Sequence, residues 1–520
     1  MKTPCDSAVI ELGSAAAPCP PDARPWILAA TILGSSMAFI DGTVVNVALP
    51  ALQTNLGGTV SDIQWVVEAY GLFLGALILV GGSLGDLLGR RRMFLAGVTL
   101  FAAASIACAL APSIHQLILA RAVQGLGAAF LVPGSLSIIS ASFPANERGR
   151  AIGTWSGFTA ITTAIGPVLG GWLIEHASWR WAFLINVPIA LVVIVISLWR
   201  VPESRSDIRS KIDWSGALLA TVGLGGLVYG LIESASLGWS DSFVWGGLLV
   251  GCLSLLAFVF TELRVASPMV PLQLFRSREF SGANVITLFL YAALGVFFFL
   301  YPLDLIQVHH YSATAAGAAA LPLILLTFSL SRWSGGLVAR HGPRLPLIVG
   351  PLITTAGLLL FAASSIGGSY WRTFFPAFVV LGLGLAVSVA PVTTVVMDAV
   401  DKGRAGTASG INNAVARVGS LLAIAVLGVV MTSAFRFQLN RSLADISIPA
   451  SVLQDLHSNE NRLAALVVPS DVDAHTSAAI RYAIEHSFVF AFRIVMLICA
   501  ALSITSAAFA WRMMTKRKPK

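Results

Sequence analysis

The stretch GSLGDLLGRRR, Gly82–Arg92, separates two apolar runs at residues 62–84 and 93–112. Each run has the roughly 20 apolar residues that an α-helix needs to cross a bilayer. The basic cluster Arg90–Arg92 is typical of a cytoplasmic loop, because lysine and arginine near the ends of membrane spans are retained on that side. The stretch therefore predicts two membrane-spanning helices joined by a short cytoplasmic loop.

The same pattern continues along the whole chain of 520 residues, of which 56% are hydrophobic and 11% charged. A soluble domain carries about 25% charged residues, so this chain has too few charges to cover the surface of a soluble protein of its size. Apolar runs of spanning length recur at residues 26–50, 62–84, 93–112, 115–141, 149–175, 179–199, 212–233, 243–263, 280–303, 312–339, 344–366, 371–397, 404–431 and 488–511. The sequence thus predicts an all-α polytopic membrane protein with 14 transmembrane helices.

The net charge of +8 reflects topology. With the N-terminus inside, clusters such as Arg90–Arg92 and the basic tail at residues 512–520 all fall in cytoplasmic loops or tails. We therefore expect a multi-pass protein of the cell (plasma or inner) membrane with both termini in the cytoplasm. The basic residues are too dilute to predict a nucleic-acid partner.

The sequence has no residue pattern typical of a metal site or a phosphate-binding loop. The cysteines, Cys5, Cys19, Cys108, Cys252 and Cys499, form no CxxC or Cys/His spacing that predicts a zinc site. No lysine follows a glycine, as a phosphate-binding loop requires, and there is no HExxH. We therefore predict a protein that is not an enzyme and has no catalytic residue, no metal and no cofactor.

The chain also contains an internal repeat with a shift of about 253 residues. GSLGDLLGRR at Gly82–Arg91 aligns with GGLVARHGPR at Gly335–Arg344, and GRAIGTWSG from Gly149 resembles GRAGTASG from Gly403. The repeat predicts two six-helix halves, and repeated halves of a transporter place the substrate near the middle of the membrane. The predicted divisions are an N-terminal tail at 1–25, bundles at 26–200 and 280–511, a linker with two extra helices at 201–264, a long extracytoplasmic segment at 432–487 and a basic tail at 512–520.

Four motifs together resemble the major facilitator superfamily, specifically its fourteen-helix drug:proton antiporters. They are FIDGTVVNVALP (Phe39–Pro50) on the first helix, GSLGDLLGRRR between helices 2 and 3, LARAVQGLGAA (Leu119–Ala129) on helix 4, and GPVLGG (Gly166–Gly171) on helix 5. One departure is Thr162, at a position where the antiporter motif often has glycine. The resemblance covers nearly the whole chain. It implies two pseudo-symmetric six-helix bundles plus two linker helices, and proton-coupled efflux of drugs.

Three charged side chains lie inside predicted spans and are the candidates for proton coupling, namely Asp41, Glu68 and Arg121. Placing a carboxylate at such a depth costs roughly 2.5 kcal/mol or more. At 1.5 Å per residue, all three lie about 9–14 Å below the outer surface, so they can form one cluster. The alternatives are a structural carboxylate beside a helix break at Gly42 for Asp41, and a static ion pair for the other two.

Two glycine-rich motifs are candidates for moving parts. The resemblance implies an inner gate formed by Gly82, Gly85, Asp86, Gly89, Arg90 and Arg91. It also implies close contact of helix 5, through its antiporter motif, by Gly153, Gly157, Gly166, Pro167, Gly170 and Gly171. Ordinary cytoplasmic charge and ordinary close packing of small residues are the respective alternatives.

Polar or amphipathic residues inside the spans are candidates to line a substrate cavity. They are Asn46, Gln64, Trp65, Tyr70, Gln124, Asn412, Asn413 and Arg417. Hydrogen bonding between helices is the more frequent use of such residues. We expect a monomeric, proton-gradient-driven exporter whose partners are a small amphipathic molecule, protons and the lipid bilayer. A dedicated exporter of one endogenous metabolite and a non-transporting membrane sensor or scaffold remain the alternatives.

Overall fold

The computed structural model describes residues 22–205, 212–265, 268–400, 405–444, 446, 448–468 and 472–515. The N-terminal tail as far as residue 21 and the basic residues from 516 onward, both predicted to be cytoplasmic, lie outside the described residues. These described ranges contain helices and no strand.

The predicted fold class is confirmed: the structure is helical, and 14 of its helices are long and apolar enough to cross a membrane. They are α1 (Arg24–Leu56), α2 (Val60–Leu88), α3 (Arg90–Leu110), α4 (Ile114–Ser142), α5 (Ala145–His176), α6 (Trp181–Arg200, with a break at Ile185), α7 (Trp214–Leu237), α8 (Ser242–Glu262), α9 (Arg278–Leu303), α10 (Ala313–Ala319 and Leu321–Gly335), α11 (Arg344–Ala362), α12 (Tyr370–Asp398), α13 (Ala405–Leu443) and α14 (Ala474–Met513).

The last two helices are longer than their apolar runs predicted. The run at 404–431 becomes a helix that continues to Leu443, and the run at 488–511 becomes a helix that begins at Ala474. Polar residues lower the hydropathy of these extensions, yet neither extension contains the glycine or proline that would stop a helix. Much of the predicted segment 432–487 is therefore helical.

Between α13 and α14 the described chain forms a connector with a short helix, Ala450–Ser458, and a 3₁₀ turn, Glu460–Ala465. Arg436 of α13 donates to the Asn461 side chain and lies 3.5 Å from a carboxylate oxygen of Glu460. These contacts attach the connector to α13.

The internal repeat has a counterpart in the backbone. Gly89, between α2 and α3, has φ +117°, and Gly342, before α11, has φ +77°. The left-handed region strongly favours glycine, because a Cβ atom is strained there. The two glycines that the repeat aligns thus share a positive φ that favours glycine.

The chain divides into two compact units. The first contains Met1–Val45, Val66–Gly225 and Gly251–Leu272, and the second contains Asn46–Trp65, Gly226–Val250 and Gln273–Lys520. The sequence division into bundles and linker stays a prediction.

Each unit has its own close-packed interior. In the first, the glycines Gly97 and Gly127 let α3 and α4 approach closely, since a Cβ atom on either would lie 2.7 Å from a backbone nitrogen of the other helix. In the second, aromatic rings of α9, α11 and α12 form a cluster in which Phe297 and Phe361 have ring centroids 4.7 Å apart. These contacts bring α3 close to α4 in the first unit and pack α9 against α11 in the second.

Candidate functional site

Asp41 lies in the middle of α1 and has no exposed surface. α1 remains regular past this residue, and Thr43 donates its hydroxyl to the carbonyls of Phe39 and Ile40. Helix α1 thus continues through Gly42, where the alternative interpretation of Asp41 required a break. The carboxylate is therefore held inside the first unit by a continuous helix.

Arg121 of α4 forms an ion pair with this carboxylate. Its Nη1 lies 2.5 Å from Asp41 Oδ2, and its side chain is 1% exposed. The Nε atom donates to the carbonyl oxygen of Val66 on α2 at 3.0 Å, and the guanidinium lies 4.3 Å from the ring centroid of Tyr70. Arg121 therefore joins α1, α2 and α4 through one charged group.

Gln124, one turn beyond Arg121 on α4, completes the same site. It accepts a hydrogen bond from Arg121 at 2.6 Å and donates to Asp41 Oδ1 at 2.7 Å and to the Ser105 hydroxyl at 2.9 Å. Asn186 of α6 donates to Asp41 Oδ1 at 3.3 Å. We call Asp41, Ser105, Arg121, Gln124 and Asn186 the polar cluster.

Sequence reasoning found three members of the polar cluster and missed Ser105 and Asn186. Both are uncharged residues in apolar helices, and all five side chains are buried. A signal existed for Asn186, because an amide in an apolar span must find a hydrogen-bond partner. Ser105 carried no such signal, since a hydroxyl can bond to the carbonyl of its own helix.

The polar cluster stabilises the buried Asp41–Arg121 ion pair, and removing either charge would lower the stability of the protein. Removing one partner of a buried ion pair typically costs about 3–5 kcal/mol, because the other charge is left without compensation. Besides each other, Asp41 of α1 and Arg121 of α4 bond to Val66 of α2, Gln124 of α4 and Asn186 of α6. The cluster therefore couples the charge of one carboxylate to the packing of four helices.

Glu68 of α2 was predicted to join this cluster, but the structure gives it a different environment. It is 1% exposed, and neither of its carboxylate oxygens has a hydrogen-bond partner among the described residues. The structure therefore brings Asp41 and Arg121 together and leaves Glu68 unpaired.

In the predicted gate, Asp86 near the end of α2 and Arg90 at the start of α3 form an ion pair at 2.7 Å across the Gly89 turn. The backbone amides at the start of α3 are bound by another acid, Glu203, which accepts from the amides of Arg91 at 3.1 Å and Arg92 at 3.2 Å. A Cβ atom on Gly89 would lie 2.6 Å from the Glu203 carboxylate. The sequence missed Glu203, which lies beyond α6.

The other gate residues lie on either side of the Gly89 turn, Gly82 and Gly85 on α2 and Arg91 on α3. Gly82 and Gly85 leave room, because a Cβ atom there would make only ordinary contacts at 3.7 and 4.0 Å. Arg91 donates its guanidinium to the carbonyl oxygen of Val201 at 3.0 Å. The loop between α2 and α3 is thus attached to the segment that follows α6.

Helix α5 contacts α1 through part of its glycine motif. A Cβ atom on Gly170 would lie 2.7 Å from Val44 Cγ1, and one on Gly166 would lie 3.2 Å from Thr43 Cβ. Pro167 and Gly171 are buried beside them. Gly153 and Gly157, in contrast, have nothing within 4 Å of their Cβ positions. Among the glycines of the motif, the close approach to α1 is therefore made by Gly166 and Gly170.

The description "Major Facilitator Superfamily" belongs to the family model that matches residues 31–424. The chain belongs to the major facilitator superfamily. This agrees with the resemblance seen in its four motifs.

Curated relatives within the superfamily match almost the full length of the chain. "Multidrug resistance protein Stp" of Mycobacterium tuberculosis is 35% identical over 93% of this chain and 91% of the relative. "Tetracenomycin C resistance and export protein" of Streptomyces glaucescens is 33% identical over 94% of this chain and 91% of the relative. "Puromycin resistance protein pur8" of Streptomyces alboniger is 35% identical over 82% and 86%.

Solved structures of superfamily members share the fold. A bacterial homolog of the human lysosomal transporter Spinster, in an inward-facing and unoccupied conformation, matches with a TM-score of 0.65 at 18% identity, over 96% of this chain and 100% of that chain. A D-xylose–proton symporter matches with a TM-score of 0.60 at 13% identity, over 94% and 98%. At these identities the likeness shows the fold of the superfamily alone.

The remaining cavity candidates make contacts between helices in the second unit. Gln64 donates to the carbonyl oxygen of Ile424 at 2.9 Å, and Trp65 donates its indole N–H to Glu233 at 2.8 Å. Asn412 donates to Thr287 at 2.8 Å. These are hydrogen bonds between helices, the alternative to lining a substrate cavity that the sequence left open for such residues.

The other cavity candidates differ in their exposure. Asn413 is exposed and donates to the carbonyl of its own helix at Ser409, while Asn46 and Arg417 are half-buried. Tyr70 lies under Arg121 in the first unit, with its hydroxyl 3.3 Å from the carbonyl oxygen of Ala38. Whether any of these residues contacts a substrate stays a prediction.

Proposed function

We propose that this membrane protein exports small amphipathic compounds in exchange for protons, by alternating access. The observation that carries the proposal is the 33–35% identity, over nine tenths of both chains, to proteins named for drug resistance and export. The buried Asp41–Arg121 pair supports the same function, because ionisable groups deep in a membrane span mark ion and substrate pathways.

A proton gradient would supply the free energy for export without a cofactor. One proton moving down a gradient of one pH unit supplies about 1.4 kcal/mol, which sustains a tenfold concentration ratio of substrate. Acidic groups inside the spans favour cationic or neutral lipophilic substrates. The α2–α3 loop would act as the inner gate, and the glycine contact of α5 with α1 would let these helices shift without side-chain obstruction.

The test uses the full chain purified into proteoliposomes with an internal pH dye and a panel of tetraphenylphosphonium, ethidium and puromycin. We expect an imposed pH gradient to drive uphill movement of at least one compound, with proton flow in the opposite direction. Liposomes without protein are the control. Downhill movement of compounds without proton flow would refute the coupling, and absence of any movement would refute export of these compounds.

The alternative is a dedicated exporter of one endogenous metabolite. It is favoured by relatives named for single compounds, such as the "Probable actinorhodin transporter" of Streptomyces coelicolor, 33% identical over 83% of this chain and 77% of the relative. Deleting the gene and comparing secreted metabolites with the resistance of the cells to the panel separates the two functions. Proton movement that depends on substrate would eliminate a sensor or scaffold.

Location and assembly belong to the same proposal. We place the protein in the cell membrane as a monomer with both termini in the cytoplasm. Reporter fusions at each terminus, and the mass of the protein in detergent, test these assignments. A periplasmic or extracellular reporter at either end would overturn the predicted orientation.

A further inference from the structure

The first unit buries two carboxylates whose bonding is opposite. Asp41 accepts hydrogen bonds from Arg121, Gln124 and Asn186, which together cover both of its oxygens. Glu68 is equally buried, yet both of its oxygens lack a hydrogen-bond partner among the described residues. An ionised carboxylate without partners costs several kcal/mol in a protein interior, whereas a neutral carboxyl group avoids most of that cost. The bonding therefore favours a charged Asp41 and a neutral, proton-bearing Glu68.

Glu68 also faces away from the charge that could pair with it. Arg121 contacts α2 at the carbonyl of Val66 and the ring of Tyr70. Each of these residues is two positions from Glu68, which places it about 160° away around the helix. Pairing Glu68 with Arg121 would require α2 to turn by nearly half a revolution.

Helix α7, which packs against α2 one turn after Glu68, has no cationic residue from position 214 to position 232. Leu72, one turn after Glu68, packs against α7, where a Cβ atom on Gly225 would lie 3.4 Å from its Cδ2. From residue 214 to residue 232, α7 has no Asp, Glu, Lys, Arg or His, and Tyr229 is its one titratable side chain. Glu233, which follows, is another acid and accepts hydrogen bonds from the Trp65 indole and from Ser236.

We propose that Glu68 binds the transported proton, and that the Asp41–Arg121 pair stays ionised and positions α1, α2 and α4. The assignment rests on the proposed proton-coupled export. One proton from outside water binds to a carboxylate oxygen of Glu68 as substrate leaves. The same proton is released to cytoplasmic water when a rearrangement exposes Glu68 to that side. Each proton bound from outside is thus released inside.

The first experiment compares wild type, Glu68→Gln and the matched control Glu233→Gln in proteoliposomes with the panel compound that the wild type moves fastest. Two rates are measured: uphill transport driven by a pH gradient, and exchange of labelled for unlabelled compound at equal pH. We expect Glu68→Gln to keep exchange and lose the response to the gradient, while Glu233→Gln keeps both. Gradient-driven transport by Glu68→Gln at the wild-type rate would overturn the assignment.

The second experiment needs no variant, so it does not depend on a variant folding. Dicyclohexylcarbodiimide reacts with protonated carboxyl groups in apolar surroundings, and the modified peptide is identified by mass spectrometry of the wild-type protein. We expect the adduct on Glu68 and none on Asp41. An adduct on Asp41 with Glu68 unmodified would reverse the assignment. If the wild type moves no panel compound against a gradient, the proposed function fails first, and that outcome is distinct from either result above.

Discussion

Replacing Asp41 by asparagine tests the polar cluster most directly. The variant keeps the size of the side chain but removes the charge that faces Arg121 Nη1 at 2.5 Å. The guanidinium would keep its bonds to the Val66 carbonyl at 3.0 Å and to Gln124 at 2.6 Å, but it would remain buried without a counter-charge. We expect the free energy of unfolding to fall by about 3–5 kcal/mol.

The double variant Asp41→Asn/Arg121→Gln separates the charge effect from a packing effect. Removing both charges removes the uncompensated guanidinium, so we expect the double variant to be more stable than Asp41→Asn alone, with an interaction energy of about 1–3 kcal/mol. The matched control is Glu68→Gln, which has no hydrogen bond to lose among the described residues and should stay within about 1 kcal/mol of wild type.

The assay is unfolding in mixed micelles with increasing SDS, followed by tryptophan fluorescence. Surface expression and size-exclusion profiles show whether each variant reaches the membrane. A loss below about 1 kcal/mol for Asp41→Asn would refute the reasoning. So would a double variant whose loss equals the sum of the two single losses, because the pair would then carry no mutual energy.

Three further predictions follow from local geometry. Gly89→Ala combines φ +117° with a Cβ atom 2.6 Å from a carboxylate, so it should cost about 1–3 kcal/mol in SDS unfolding, while Gly82→Ala should be tolerated. Gly170→Ala should push α5 away from α1 and slow transport, at a stability cost of about 1–3 kcal/mol, whereas Gly153→Ala should leave transport unchanged because nothing lies within 4 Å of its Cβ position. Hydrogen bonds from Thr476 lower the pKa of Asp473 at the start of α14, so its contribution to stability is present above the ordinary value of 3.8 and is lost as pH falls through the lowered value. The protection of amides in the first turn of α14 against hydrogen exchange, relative to the intrinsic rate at each pH, should therefore fall in acid. Asp473→Ala should already show that lower protection at neutral pH, and a loss of protection in acid that persists in Asp473→Ala would contradict the assignment.

The sequence was a good guide to the helices because a bilayer imposes a length and a composition on each span. Its errors lie where that constraint ends. The extensions of α13 to Leu443 and of α14 back to Ala474 are polar, so hydropathy alone assigned them to a loop. A helix can continue beyond the membrane surface with polar residues, because its backbone hydrogen bonds do not depend on the bilayer.

Three of the five residues of the polar cluster were predictable from the sequence, but which charged side chains pair with each other was not. Asp41, Arg121 and Gln124 stood out because charge or amide groups are costly inside a span. Depth along the helix axes placed Glu68 with them, but the contacts of Val66 and Tyr70 with Arg121 place Glu68 on the opposite face of α2. Counting residues from the helix end gives the depth of Glu68 in the membrane, but it does not give the rotation of α2 about its axis, which is set by packing against other helices.

The Glu203 contact at the start of α3 has a consequence for biosynthesis. The amide of Arg91 and the carboxylate that binds it are 112 residues apart. At a synthesis rate of about 5–20 residues per second, the carboxylate emerges on the order of 6–20 s after the amide. During that interval α2 and α3 can be inserted in the membrane, but the turn between them must wait for α6 before it closes. A nascent chain that stalls before residue 203 would therefore lack the carboxylate that binds the backbone amides of Arg91 and Arg92 beside the Gly89 turn.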